Sequence, residues 1–495
     1  MRARRVACAL LLMAATLFGP TARAADEEVA IVVQDAAPMR AGAREAEKAH
    51  TLLWQGEALE VRNEVGDWLQ VYDHRRERGG FVLASHVRRY RLVAETAPEL
   101  LAILRFLRET PGSEALGLGY AAAYVQAAPG PVLRSADGIE AIEALGLFAD
   151  RLARRASTTA AVSKEAQQRL SAHLDVAARY GVRLDSLDGD GRVRFCYDGE
   201  AFRRVLALEA LPAQKARAAL ALSRPECEPA DAAKRIERLA ESAALLQAVD
   251  AAPLGAPLKA RFLLRRSRVV ATVAFHAARR GENASELLEA ARGDLALVRR
   301  RELSDADARA YDEAALRVNA SRWAAAPAPA LAPVSNRPTL VAKPGEDGQT
   351  CLLLVDAKHD AANPLARRCT YGQAWLAAAS TNAEGNAVAV AIQQTDAWRE
   401  LWLFRKAGGK WDVRILPPAA TAPGAGSAEF AGWIPGGTQM LVAREASGEN
   451  GVQRAFEVVR TDTLATVKKS SQPANLVAFR KWQDPAWKRE TLLLR

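Results

Sequence analysis

Val61-Arg-Asn-Glu-Val-Gly-Asp-Trp-Leu-Gln-Val-Tyr72 decides how the N-terminal part of this chain folds. An apolar run precedes a Gly-Asp step, and an alternating Trp-x-x-Val run follows it. A Gly-Asp pair between two such runs is hairpin chemistry, because glycine supplies the positive φ that a tight turn needs. Gly80-Phe-Val82, just downstream, reads as a further strand. Working outward, Val29-Ala-Ile-Val-Val33 and Glu57-Ala-Leu-Glu-Val61 are also short strand-like runs bounded by turn residues. Several short strands in one small segment predict a β-barrel.

Upstream of these strands, Arg2, Arg4 and Arg5 precede the apolar run Val6 to Phe18, which Gly19-Pro20 ends. Ala22-Arg-Ala24 then places small residues where a signal peptidase cuts, so residues 1–24 read as a cleaved secretory signal. The run is shorter than the roughly 20 residues a bilayer span requires. Cys8 lies inside the apolar run rather than at its end, so it is not read as a lipoprotein cysteine. No later stretch is apolar for long enough to span. A periplasmic, or secreted, protein with no transmembrane segment after cleavage is expected.

The formal charge is +10, and removal of the four arginines within residues 1–24 lowers it to +6. Lys and Arg are mixed with Asp and Glu throughout, and no basic block is interleaved with aromatics. A nucleic-acid partner is therefore not expected. Four cysteines remain after cleavage: Cys196, Cys227, Cys351 and Cys369. An even number in an exported chain predicts disulfides, of which three connectivities are possible. The local pairs Cys196–Cys227 and Cys351–Cys369 are favoured because a Pro-rich segment separates the two sets. The second pair would contribute roughly 3 kcal/mol in the chain-entropy model. With no CxxC and only scattered histidines, neither a metal nor a cofactor is predicted.

The chain as a whole predicts a multidomain α+β protein. Residues 25–93 form the small β unit. Residues 94–324, rich in Ala, Leu, Arg and Glu, carry apolar faces at helical spacing, as in Leu100-Leu101-x-x-Leu104-x-x-Leu107. Pro111-Gly112, Pro129-Gly-Pro131, Gly181, Pro212 and Pro253 punctuate these helices, and Ser304-Asp-Ala-Asp307 has the form of a helix start. Asp188-Gly-Asp-Gly191 has two oxygen ligands of a calcium loop but Tyr197 where its closing Glu would stand, so it reads as a turn. Residues 325–338 include the Pro/Ala tether Ala325-Ala-Pro-Ala-Pro-Ala-Leu-Ala-Pro333. Residues 339–495 are β-rich, with strands expected at Ala387–Ile392, Leu401–Phe404, Trp411–Leu416, Met440–Ala443, Phe456–Val459 and Thr491–Leu494.

The N-terminal unit resembles the bacterial Src-homology-3-like domain. Met39-Arg40 matches that family's first-strand Leu-Arg, and Leu53-Trp-Gln-Gly-Glu57 its Leu-x-x-Gly turn. Asp67-Trp-Leu-Gln-Val71 and Gly80-Phe-Val82 match its Trp-x-x-Val and closing strands. His74-Arg-Arg-Glu-Arg78 departs from the short hairpin usual there. The resemblance implies a groove for peptidoglycan peptides or partner proteins, with Trp54, Trp68, Tyr72 and Phe81 as ligand-binding aromatics. Trp68 and Phe81 also read as residues that fill the barrel core, which leaves Trp54 and Tyr72, set beside charge, as the better ligand candidates.

In the C-terminal region, Gly432-Trp-Ile-Pro-Gly-Gly-Thr-Gln-Met-Leu-Val442 resembles the blade motif of periplasmic propellers such as that of the Tol system, with Gly436 in place of the usual Asp. Gly385–Val413 and Gly437–Val467 are similar to each other, as blades are. Trp375 and Trp482 are expected to open sister blades. The length allows too few blades for closure, so a partial propeller or a sandwich is expected. The whole arrangement resembles an exported proteobacterial family.

The chain contains no HExxH, no G-x-S-x-G and no phosphate loop. A non-catalytic envelope binding or scaffold protein is expected, with peptidoglycan or an envelope protein as partner. The alternative is a cell-wall hydrolase or modifying enzyme with a carboxylate site that no motif reveals. A secreted protein that engages another cell is a third reading.

Overall fold

Burial alternates along the Trp-x-x-Val strand: Leu69 and Val71 are fully enclosed, whereas Gln70 and Tyr72 are only half-buried. Successive side chains of a strand point to opposite faces, so Leu69 and Val71 define the inner face of a sheet. The structure, a computed structural model, describes residues 28–158, 163–189, 192–326, 336–420, 424–448 and 451–490. Residues 1–24, most of the Pro/Ala tether and the strand expected at Thr491–Leu494 lie outside the described residues. The chain divides into two units, Met1–Arg183 and Leu184–Arg495. This division falls within the helical stretch and not at the tether.

The first unit contains β1 (Glu28–Val32), β2 (Ala37–Arg40), β3 (Ala49–Leu53), β4 (Ala58–Val65), β5 (Trp68–Asp73), β6 (Arg78–Leu83) and β7 (Val87–Arg91). They form one antiparallel sheet in the order β3-β2-β6-β5-β4-β1-β7. Among the described residues no ladder joins β3 to β7, so the expected barrel is corrected to an open sheet. The reason is strand length and pairing. Closure needs tilted strands with continuous ladders, but β2 is four residues long and meets β6 at the single pair Arg40↔Phe81. Gly80 permits even that approach, since a Cβ there would stand 2.7 Å from Met39 Cγ. Ala30, Val32, Met39, Leu53, Leu59, Leu69, Val71 and Val82 fill the interior.

Five helices follow: α1 (Ala97–Arg108), α2 (Glu114–Ala127), α3 (Gly130–Leu133), α4 (Ala136–Thr158) and α5 (Lys164–Arg179). Leu100, Leu101, Leu104 and Leu107 are the buried stripe of α1, as their spacing predicts. The Leu-x-x-Gly turn is where the sheet meets these helices. Gly56 has φ +87°, and a Cβ there would lie 2.1 Å from the Ala115 carbonyl oxygen on α2. From the other side, a Cβ on Gly119 would lie 2.6 Å from the Gly56 oxygen. Tyr180 donates its hydroxyl to that same oxygen at 2.5 Å. Arg179 reaches Glu57 at 3.0 Å, Arg76 bridges Glu57 and Asp73, and His173 bonds Asp35 at 2.8 Å. Glu57 is almost wholly buried, and its two guanidinium partners supply the charge compensation that a buried carboxylate requires.

The second unit begins with a hairpin, β8 (Leu184–Gly189) and β9 (Arg192–Tyr197), in a stretch expected to be purely helical. The alternation in Arg192-Val-Arg-Phe-Cys-Tyr197 has the two-residue period of a strand. Asp188 and Gly189 lie at the end of β8, and residues 190–191 of the calcium-like turn lie outside the described residues. Then come α6 (Glu200–Ala207), α7 (Pro212–Leu222), α8 (Ala232–Gln247), α9 (Ala256–Arg279), α10 (Ser285–Ala296) and α11 (Asp305–Ala320). They share one core, built on Phe262, Leu263, Val270 and Ala274 of α9. Ser304 caps α11 by accepting a hydrogen bond from the Asp307 backbone N–H.

The C-terminal strands stack in layers. A three-stranded sheet comprises β10 (Thr339–Pro344), β11 (Thr350–Val355) and β12 (Ala366–Thr370). A first meander comprises β13 (Gln373–Thr381), β14 (Ala387–Thr395), β15 (Trp398–Ala407) and β16 (Lys410–Leu416). A second comprises β17 (Gly426–Trp433), β18 (Gln439–Gly448), β19 (Gly451–Arg460) and β20 (Thr466–Ser470), followed by α12 (Val477–Trp482) and α13 (Pro485–Glu490). Leu352, Leu354, Val388, Val390, Ile392 and Phe404 fill the first interlayer space. Ala389, Leu403, Met440 and Val442 fill the second, and Leu441, Val458, Phe479 and Trp487 the third, under the helices. A short parallel ladder, Trp398↔Gly426 and Arg399↔Ser427, joins the two meanders. β20 is the exposed outer strand and carries Lys468 and Lys469.

The strands expected at 387–416 and 440–459 are present. Trp375 lies on β13, the first strand of the first meander, whereas Trp482, expected to open a blade, is exposed on the helix α12. Cys196–Cys227 and Cys351–Cys369 stand at disulfide distance, with S–S separations of 2.06 and 1.97 Å. Cys351 and Cys369 are direct cross-strand partners on β11 and β12.

Substitution Gly56→Ala is expected to lower stability by about 3 kcal/mol or more, because it adds both φ strain and a backbone collision. Gly66→Ala, at φ +61° with open space around it, should cost only about 1 kcal/mol. Urea unfolding of the two variants beside wild type checks the contrast; equal losses would contradict it.

Candidate functional site

The aromatic residues of the first unit divide by strand periodicity. Leu69 and Val71 take the inner face of β5, so Trp68, Gln70 and Tyr72 take the outer one. Across the ladder, Gln70 opposes Phe81, Trp68 opposes Leu83 and Tyr72 opposes Gly79. Trp68, Tyr72 and Phe81 therefore share one outer strip on two adjacent strands, and none belongs to the interior cluster. Trp68 is nonetheless only 8% exposed, which leaves Tyr72 and Phe81 as the accessible members. Trp54 stands apart, half-buried on the turn after β3.

Tyr72 sits in a polar frame. The Arg62 guanidinium lies 4.0 Å over its ring, and His74 meets its edge with centroids 5.0 Å apart. Glu60 accepts from Arg62 at 3.1 Å and lies 2.6 Å from His74 Nε2. The Arg62 hydrogen bond, foremost, and His74 hold the Glu60 carboxyl below its ordinary range. The strip thus offers a flat apolar ring bordered by a fixed cation and a fixed anion, an arrangement suited to stacking against a ligand with polar edges.

The second unit brings together charged residues that no motif announced. Arg399, at the start of β15, is wholly buried. Its Nη1 donates to the carbonyls of Asn319 and Ala320 at 2.6 and 3.1 Å, and its Nη2 to Glu429 at 3.0 Å. Arg322, just past α11, binds the same Glu429 carboxylate. A cation against the last carbonyls of a helix meets the negative end of its dipole. Burial pulls the Arg399 pKa down while Glu429 supports its charge, and the guanidinium stays protonated.

Glu445 of β18 lies beside this group. Asn319 Nδ2 donates to it at 3.3 Å, and Arg454 stands 2.9 Å away. Burial outweighs both partners and pushes its carboxyl up to about 7. Two cavities flank the cluster. One, of about 560 Å³, is lined by Arg322, Trp323, Ser380, Glu429 and Trp487. The other, of about 490 Å³, is lined by Glu429, Arg444, Glu445, Arg454, Phe456 and Trp487. The only sequence signal for these residues is a charge at strand spacing inside an apolar run, as at Glu429 in Ser-Ala-Glu-Phe-Ala. Among the described residues no group of His, Cys, Asp and Glu is arranged to hold a metal ion, and no helix is long and apolar enough to cross a membrane.

The raised Glu445 carboxyl has a signed consequence for stability. The folded protein keeps this proton up to about pH 7, whereas the unfolded chain releases it near the ordinary glutamate value of 4.5. The associated stability is fully present below about pH 4.5 and is lost as pH rises to about 7, with a total on the order of 3 kcal/mol at most. Glu445→Gln should flatten that decline, as read from urea unfolding of both proteins across pH 4–8; parallel curves would remove Glu445 as its source. No protein-family model, curated protein or solved structure matches this chain significantly.

Proposed function

We propose that this chain is a non-catalytic binding or scaffold protein of the cell envelope. Its N-terminal sheet is a Src-homology-3-like domain that contacts peptidoglycan or a partner protein through the outer strip of β5 and β6. Its C-terminal meanders are two propeller-like blades, stacked face to face and open at their ends, that offer a second surface. The carrying observation is that Tyr72 and Phe81 lie outside the interior cluster and half-buried on one strip. Aromatic side chains not needed to fill a core are the usual anchors of an interface. Two cysteine pairs at bonding distance fit an oxidising compartment such as the periplasm.

A second reading, a cell-wall hydrolase or modifying enzyme, is favoured by one observation. Glu445, with its carboxyl pushed up to about 7, lines a cavity with Phe456 and Trp487. A carboxyl that stays protonated near neutrality is what a general acid requires. Against it, Glu429, the nearest second carboxylate in the lining, is committed to Arg322 and Arg399.

Two measurements separate the readings. Recovery of peptidoglycan or envelope partners by Tyr72→Ala combined with Phe81→Ala should fall about thirtyfold, the loss of roughly 2 kcal/mol typical of an aromatic anchor. Undiminished recovery would dismiss the strip, and a parallel Trp54→Ala variant tests the outlying aromatic in the same assay. Incubation with purified peptidoglycan should release no muropeptides. Release that Glu445→Gln abolishes would establish the enzyme instead.

A further inference from the structure

Helix α9 presents Arg268, Thr272, His276 and Arg279 along one side, at the three- and four-residue spacing that aligns side chains on a helix face. They line a cleft of about 560 Å³ that Arg235 of α8, Arg317 of α11 and Asp396 of the β14–β15 turn also enter. Its charged walls comprise four arginines, Arg235, Arg268, Arg279 and Arg317, against two carboxylates, Glu228 and Asp396. Asp396 is already engaged, accepting from Thr272 at 2.8 Å and from Arg317 at 3.1 Å. Arg279 and Arg235 donate to backbone carbonyls, those of Tyr371 at 3.1 Å and Ala230 at 3.5 Å, and the Arg279 guanidinium lies 5.8 Å over the Phe275 ring.

Arg268 is the anomaly. Its side chain is 21% exposed, and its nearest counter-charge is Glu313 at 3.8 Å, beyond hydrogen-bonding distance. A guanidinium carries five donors in a rigid fork, and among the described residues those of Arg268 have no hydrogen-bond partner, which leaves them open to the cleft. Burial, and then the neighbouring charge of Arg317, pull the Arg268 pKa down. Burial likewise raises the Glu228 carboxyl, which weakens the anionic side of the cleft. Leu239, Val269 and Phe275 supply an apolar wall beside the cations.

We propose that this cleft binds a small phosphate-bearing ligand, with Arg268 forking onto the phosphate oxygens, Arg235 adding a second cation, and Leu239, Val269 and Phe275 holding its organic body. Guanidinium forks match tetrahedral oxyanions in geometry as well as charge. The cleft is far larger than one phosphate, so the ligand carries a body. The phosphate group could belong to a soluble metabolite or to a lipid headgroup, and the chemistry of recognition is the same. This site is separate from the aromatic strip of the first unit and stands or falls independently of it.

The test uses the full exported chain with its cysteine pairs intact. Glycerol 3-phosphate is titrated by calorimetry, and phosphatidylcholine vesicles with and without phosphatidic acid, which carries the same phosphomonoester, are tested by flotation. Binding of either probe is expected. Signal with glycerol 3-phosphate identifies a soluble ligand, and signal with the acidic vesicles alone identifies a headgroup. Arg268→Gln should weaken the interaction about tenfold or more, the loss of a charge-assisted fork, with an unchanged melting temperature because among the described residues Arg268 makes no hydrogen bond and its ion pair is the long contact with the half-exposed Glu313. Arg268→Lys should recover part of the affinity, and Arg235→Gln supplies a second variant should Arg268→Gln fold poorly. Failure of wild type to bind both probes, or equal binding by the glutamine variants, overturns the proposal.

Discussion

The second unit depends on one buried electrostatic junction. Arg399 has no exposed surface, and it spends its charge on Glu429 and on the last carbonyls of α11. An ionic group so fully removed from water survives only if its partners are fixed in place. The junction therefore constrains three elements at once: the end of α11, the start of β15 and the middle of β17. Those are the elements at which the helical core meets both meanders. Gln393 adds a neutral tie by donating to Ser321 at 3.1 Å. A stack of open sheets has no closing ladder of its own, and here a helix end does the fastening.

The first unit solves the corresponding problem by close approach instead of charge alone. Gly56 and Gly119 remove the side chains that would hold the turn and α2 apart, and Tyr180 and Arg179 then reach the same turn from α5. The Leu-x-x-Gly turn thus has a packing role in this chain, whatever its descent. The same economy appears where Gly117 admits the Phe148 ring, since a Cβ at Gly117 would lie 2.4 Å from it.

Much of this was legible in the sequence wherever burial follows a period. The α1 leucines, the alternation around Trp68 and the apolar runs of β14 and β15 each carry one repeating signal, and each became the expected element. β20 was reached only at Thr466 and Val467, the end of the repeat, because Lys-Lys-Ser reads as surface, and β17 was missed because Gly-Ser-Ala is small and weakly apolar. The Pro/Ala segment looked like a separator, yet α11 before it and the sheets after it belong to one unit. Periodicity reports which face of a helix is buried but not against what. The charged junction was illegible for a related reason: Arg399 and Glu429 read as surface residues until tertiary structure pairs them. The α9 arginines were hidden in a composition already rich in arginine.

The outer strand β20 has a consequence for how this protein behaves in a crowded compartment. A sheet ending in an unpaired strand is a template on which another copy can add. In β20 the positions that would meet an incoming copy carry Lys468 and Lys469 on an exposed edge, so two copies aligned edge to edge would oppose like charges. Charged residues at an open edge disfavour such addition, although Lys469 also faces Glu457 of β19 at 3.8 Å, which leaves Lys468 the main charge on this edge.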